Sequence, residues 1–130
     1  MSNQPVLPDL PGFNPESALR LLNNNIKLYS SVLKRFMAQY TASYDKLSAQ
    51  LSNVPSDPEQ LSELQREAHT LKGLAGTIGH PALQESATQF DIAAKNPAGH
   101  GHEEFAALAA ELLGHLRQAL DVLQKAFPEA

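Results

Sequence analysis

His69, Lys72, Gly73 and Gly76 stand at positions i, i+3, i+4 and i+7 of the run Glu67-Ala68-His69-Thr70-Leu71-Lys72-Gly73-Leu74-Ala75-Gly76-Thr77-Ile78-Gly79. An α-helix turns about 100° per residue, so this spacing puts all four on one face. A neutral imidazole is a competent nucleophile near neutral pH and needs no unusually strong base to activate it. A lysine one turn further on sets an ammonium beside the oxygens of a captured phosphoryl group, and such charge compensation dominates phosphoryl transfer. The glycines remove side chains next to His69, leaving a shallow patch across which a large partner can reach the ring. Each glycine inside a helix costs roughly 1 kcal/mol relative to alanine, which calls for an offsetting function. Alone, the lysine would be an ordinary surface residue and either glycine a packing device; the combination points to a histidine that carries a transferable anionic group.

The helix that presents this face is read from its apolar stripe, Leu61, Leu64, Ala68, Leu71, Ala75 and Ile78. His69, Lys72 and Gly76 each follow a stripe residue, so they sit at the margin between buried and solvated surface. Ser56-Asp57-Pro58-Glu59 supplies a cap and proline to open this helix, and Gly79-His80-Pro81 closes it. Residues 1–13, with Pro5, Pro8, Pro11 and Gly12, read as a strap or linker. Asn14-Pro15-Glu16 starts a short helix running to about Leu22, and Asn23-Asn24-Asn25 breaks it. A long helix follows on Ile26, Tyr29, Leu33, Phe36, Tyr40, Tyr44, Leu47, Leu51 and Val54, ending near Pro55. After the site-bearing helix comes one with Leu83, Ala87, Phe90 and Ala94, stopped by Asn96-Pro97-Ala98-Gly99. The last carries Phe105, Ala109, Leu113, Leu116, Leu120, Leu123 and Phe127. No segment alternates with period two. The expected fold is all-α: an antiparallel up-down four-helix bundle over residues 14–130 with a short N-terminal lid helix.

If the Gly79-His80-Pro81 turn joins antiparallel helices, residues equally far from position 80 lie level, which pairs His69 with Asp91. A carboxylate there can accept from Nδ1, fix the tautomer and leave Nε2 free to attack.

The motif His-Thr-Leu-Lys-Gly-Leu-Ala-Gly-Thr-Ile-Gly resembles the phosphoacceptor motif of the histidine-containing phosphotransfer (HPt) family. Leu10-Pro11-Gly12-Phe13 ahead of a short helix, and Leu28-Tyr29 with Leu33 and Phe36, are similar to HPt domains that end hybrid sensor kinases. The resemblance implies a non-catalytic relay in which His69 takes phosphate from an aspartate of one response-regulator receiver and gives it to another. It implies Nε2 of His69 as acceptor, Lys72 as the phosphate-facing cation, Gly73 and Gly76 as clearance, and a magnesium ion held by the receiver rather than by this chain. It also implies glutamate or glutamine where Asp91 stands; the shorter aspartate leaves a water-mediated contact, or replacement by Gln89 or a neighbour, as alternatives to a direct bond. A receiver docking over this face would meet Gln65, Arg66, Lys72, Gly73, Gly76 and Thr77.

Composition narrows the remaining classes. The chain has 130 residues, 42 % of them apolar, enough for one domain with one core. Its 14 acidic and 10 basic residues, the latter scattered, give no footprint for nucleic acid or anionic lipid. Cysteine is absent, which removes disulfides and thiolate metal sites. The start lacks signal-peptide character and no apolar run approaches membrane-spanning length, so a cytoplasmic location is expected, and a four-helix bundle that closes its own core is expected to be a monomer. No paired-carboxylate cleft, nucleophile elbow or glycine-rich phosphate loop suggests an enzyme in its own right. Two other readings stand beside the relay: a helical module that binds partners without carrying phosphate, and metal binding at His100-Gly101-His102-Glu103-Glu104. His80, His100, His102 and His115 each read more simply as solvated or locally hydrogen-bonded side chains.

Overall fold

A computed structural model describes residues 7–52 and 58–128 of the chain. Among these residues the architecture is all-helical: α1 (Pro15–Leu21), α2 (Ile26–Ser52), α3 (Pro58–Ile78), α4 (Pro81–Lys95), a 3-10 turn over Pro97–Gly99, and α5 (His102–Ala126). Val54, Pro55, the cap expected at Ser56 and Asp57, and the first six residues of the strap lie outside the described residues.

Local chemistry sets the boundaries. Pro15, Pro58 and Pro81 each occupy the first position of a helix, where the missing N–H costs nothing and φ is already helical. Asn14 sits at the cap position of α1 without using its side chain; Ser17 Oγ donates to its carbonyl instead, at 3.0 Å. Asn23 and Asn24 adopt left-handed φ of 53° and 59°, which asparagine tolerates better than most residues, and so end α1. Asn25 then caps α2, its Oδ1 accepting from Leu28 N at 3.0 Å.

The stripes of α3 and α4 bury as expected, with every residue of both in the core. In α2 the core is Tyr29, Leu33, Phe36, Met37, Tyr40, Leu47 and Leu51, whereas Ile26 and Tyr44 are only half-buried at its margin. In α5 the expected Leu113 gives way to Leu112, which continues the three- and four-residue steps from Ala109 to Leu116, while Leu113 and the post-helical Phe127 are half-buried. Full burial of a side chain such as Phe90 stabilises by about 1.5–3 kcal/mol.

Four contacts fix how the helices meet. Tyr29 Oη, near the start of α2, donates to Ile78 O at the end of α3, at 2.6 Å, and burial pushes the phenol up to about 12. Phe90 of α4 meets the ring of Phe105 of α5 edge-on. Lys34 of α2 lies over Phe127, and Arg117 of α5 over Tyr44 of α2. Helix α1 packs on α2 and α3. Its approach is close: Asn14 N donates to Gly79 O at 2.6 Å, and Gly79 has φ +74°.

Candidate functional site

The site is built on the facing surfaces of α3 and α4. His69 is level with Asp91 because the tight turn at Gly79 and His80 returns the chain alongside α3. The contact between them is direct, with no bridging group: His69 Nδ1 lies 3.2 Å from Asp91 Oδ2. Gln89, the alternative neighbour, bonds Glu85 Oε1 instead. An ionised carboxylate only accepts hydrogen bonds, so Nδ1 is the donor, and in the neutral form of the ring Nε2 keeps its lone pair. The His69 side chain is 56 % exposed and Asp91 only 1 %, so a buried carboxylate steadies a ring that solvent and partners can reach.

Asp91 gathers more than His69. Gln65, four residues before His69, donates Nε2–H to Oδ1 at 2.6 Å. Lys72 Nζ lies 3.3 Å and Lys95 Nζ 3.4 Å from Oδ2, with side chains 31 % and 55 % exposed. Burial by itself pushes the Asp91 carboxyl up; the hydrogen bonds from Gln65, His69 and Lys72 and the charge of Lys95 outweigh it and bring it down to about 2. Asp91 is therefore an anion at any physiological pH. Two ammoniums against one carboxylate leave a surplus of positive charge beside the ring, a setting suited to an incoming phosphoryl group.

The residues expected to meet a partner separate into two groups. Gly73 is exposed, and a Cβ built there meets nothing within 4 Å, so the patch beside His69 is bare at that position. Gly76 is not bare: a Cβ there would fall 2.8 Å from Gln84 Nε2, because the amide of Gln84 crosses from α4 to cover it. Clearance at Gly76 therefore depends on where the flexible Gln84 side chain lies, whereas Gly73 is open as it stands. Gln65 turns inward to Asp91, and Thr77 Oγ1 donates back to Gly73 O at 3.1 Å. Arg66 stays exposed and lines a shallow groove with Lys46 and Gln50 of α2. Lys95 and the inward role of Gln65 are additions of the structure; the four-residue step from Asp91 to Lys95 carried a signal for the first, and nothing in the spacing did for the second.

The other histidines have structural partners. His80 caps α4, its Nδ1 accepting from Leu83 N at 3.1 Å, and its Nε2–H donates to Gln118 Oε1 at 2.6 Å. His115 Nδ1 lies 2.7 Å from Ser86 Oγ. His100 pairs with Glu104 at 2.7 Å, while the His102 side chain lies outside the described residues.

Searches of curated proteins and of solved structures return no significant match. The profile of the Hpt domain matches residues 31–126, a span that includes most of α2 and the whole of α3, α4 and α5, and so His69, Lys72, Asp91 and Lys95. The chain belongs to the Hpt domain family, the histidine phosphocarriers of two-component phosphorelays.

Proposed function

We propose that this protein accepts a phosphoryl group on Nε2 of His69 from the aspartyl phosphate of one receiver domain and passes it to the aspartate of a second. The observation that carries this reading is the Nδ1 contact to buried Asp91, which selects the tautomer of an exposed ring in which Nε2 is the nitrogen available to attack. In this reading α2 to α5 form an antiparallel up-down four-helix bundle and α1 is its lid. The pairings support that arrangement: Tyr29 near the start of α2 meets Ile78 at the end of α3, His69 and Asp91 lie equally far from the α3–α4 turn, and Phe90 late in α4 meets Phe105 early in α5.

Lys72 leaves Asp91 for the phosphoryl oxygens, Gly73 admits the receiver loop, and Arg66 and Thr77 flank the contact. The receiver brings the magnesium ion and the aspartate, so this domain holds no cofactor of its own and supplies a nucleophile on a positively charged face. A hybrid sensor kinase is the source of phosphate, and such partners place the domain in the cytoplasm. A monomer suffices, since the bundle closes its own core. Transfer partners must part quickly, which calls for a small, transient interface.

The test is incubation with a phosphorylated receiver and magnesium, followed by assay for label that is acid-labile and base-stable. We expect label on the wild-type protein and none on His69→Gln with its helical content intact. Label retained by His69→Gln, or no label from any of several receivers, overturns the reading.

A further inference from the structure

We infer that Asp91 keeps the proton on Nδ1 of His69 while Nε2 carries the phosphoryl group, so that phosphate enters and leaves without a proton passing to or from solvent. This rests on the phosphocarrier reading above and concerns what Asp91 does within it. On entry, the Nε2 lone pair bonds to phosphorus, the phosphorus–oxygen bond to the donor carboxyl breaks, and its electron pair returns to the donor as carboxylate. The ring then carries a positive charge with its Nδ1 proton still in place. On exit, the acceptor carboxylate oxygen bonds to phosphorus, the phosphorus–nitrogen bond breaks, and its pair returns to Nε2, restoring the neutral ring. Had Nδ1 lost its proton in between, the departing group would be an imidazolate, a far poorer leaving group than neutral imidazole.

Two features of the site enforce retention. The first is geometric: Oδ2 stands 3.2 Å from Nδ1, and Oδ1 is anchored by Gln65 at 2.6 Å, so the carboxylate cannot turn away freely. A deprotonated Nδ1 would face Oδ2 acceptor to acceptor, with a 1 % exposed carboxylate that water reaches poorly. The second is charge. The charged groups on Asp91 are Lys72 from α3 and Lys95 from α4, giving one surplus positive charge before phosphorylation. The phosphoryl group brings close to two negative charges and converts the surplus to a deficit that one ring proton cancels. The phosphorylated site is thus neutral as a whole when Nδ1 remains protonated, and carries an uncompensated negative charge when it does not. A neutral amide at position 91 would supply neither the acceptor-only geometry nor the charge.

The experiment loads 15N-histidine-labelled protein from a resin-bound phosphorylated receiver, removes the resin, and follows His69 Nδ1 by NMR and phosphate loss across about pH 6 to 9. A phosphohistidine peptide serves as reference, with Asp91→Asn and Asp91→Glu as variants. An opposite charge at this range moves a titration by about 1–3 pH units. We therefore expect wild-type Nδ1 to stay protonated at least about one unit above the peptide, Asp91→Asn to fall back towards it, and Asp91→Glu to recover the wild-type profile. In the same series the phosphoryl group of Asp91→Asn becomes about tenfold longer-lived at alkaline pH, one unit of titration being tenfold in the reactive form. Wild-type titration coincident with the peptide, or an Asp91→Asn profile matching wild type, overturns this inference and leaves the carrier reading intact. Absence of label on wild-type His69 overturns both.

Discussion

At the scale of single residues, exposure ranks the two ammoniums. Lys72 is 31 % exposed and Lys95 55 %, and an ion pair in water contributes less than one partly shielded from it. Removing Lys72 with Lys72→Ala should slow phosphoryl transfer by about tenfold to a hundredfold, below the loss typical of a buried oxyanion donor. Lys95→Ala should cost about threefold or less, within the range of an exposed pair. Rapid-quench measurement of transfer from a phosphorylated receiver gives both rates, and an equal loss in the two variants would contradict the ranking. The motif around His69 was legible in the sequence because helical periodicity alone places His69, Lys72 and Gly73 together. Asp91 was legible too, from equal distance to the turn. What no periodicity reveals is the reach of a side chain across the gap between helices. For that reason the inward turn of Gln65 to Asp91, and the cover that Gln84 lays over Gly76, emerge only from the structure.

At the scale of the element, α3 and the turn that ends it hold two glycines of opposite meaning within seven residues, Gly73 and Gly79. Gly73 is helical, exposed and clear of any neighbour, so Gly73→Ala should stabilise the fold by roughly 1 kcal/mol through backbone entropy. Such a gain left unused by the sequence fits a position kept bare for a partner. A longer side chain, as in Gly73→Gln, should preserve stability while impairing transfer. Gly79 has φ +74°, and a Cβ there would lie 2.5 Å from the backbone oxygen of Asn14. Gly79→Ala should therefore destabilise by about 3 kcal/mol or more, combining left-handed strain with displacement of α1. Chemical denaturation of the two alanine variants tests both signs. The helix count and the stripes of α3 and α4 followed from sequence spacing. The exchange of Leu113 for Leu112 in α5 did not, because adjacent leucines satisfy the same pattern and only the angle at which α5 meets its neighbours selects one.

At the scale of the whole molecule, His80 ties the ends of the chain to its middle. It sits at the turn between α3 and α4, buried to 2 % exposure, with Phe13 edge-on against its ring and Gln118 of α5 on Nε2. Gln118 in turn donates Nε2–H to Pro11 O at 3.1 Å, so strap, turn and last helix share one network. Burial pushes the His80 imidazole below its ordinary 6.5; the Gln118 bond opposes this, and the charge of His115 adds to the lowering. The unfolded chain therefore takes up a proton at higher pH than the folded one. Stability from this site is complete above about pH 6.5 and declines as pH falls through that value toward the lowered folded one, by at most about 1.4 kcal/mol per pH unit. Asp91, depressed from 3.8 to about 2, has the same sign in a separate window: its contribution persists until pH falls below about 4. Loss between pH 6.5 and 5 is thus assigned to His80 rather than to the phosphate site. Thermal unfolding across that interval should show a falling midpoint in the wild type. His80→Asn retains a capping side chain without a titrating ring, and should flatten the profile. An undiminished decline in His80→Asn would place the acid sensitivity elsewhere and remove the buried ring from the account of how strap and bundle hold together.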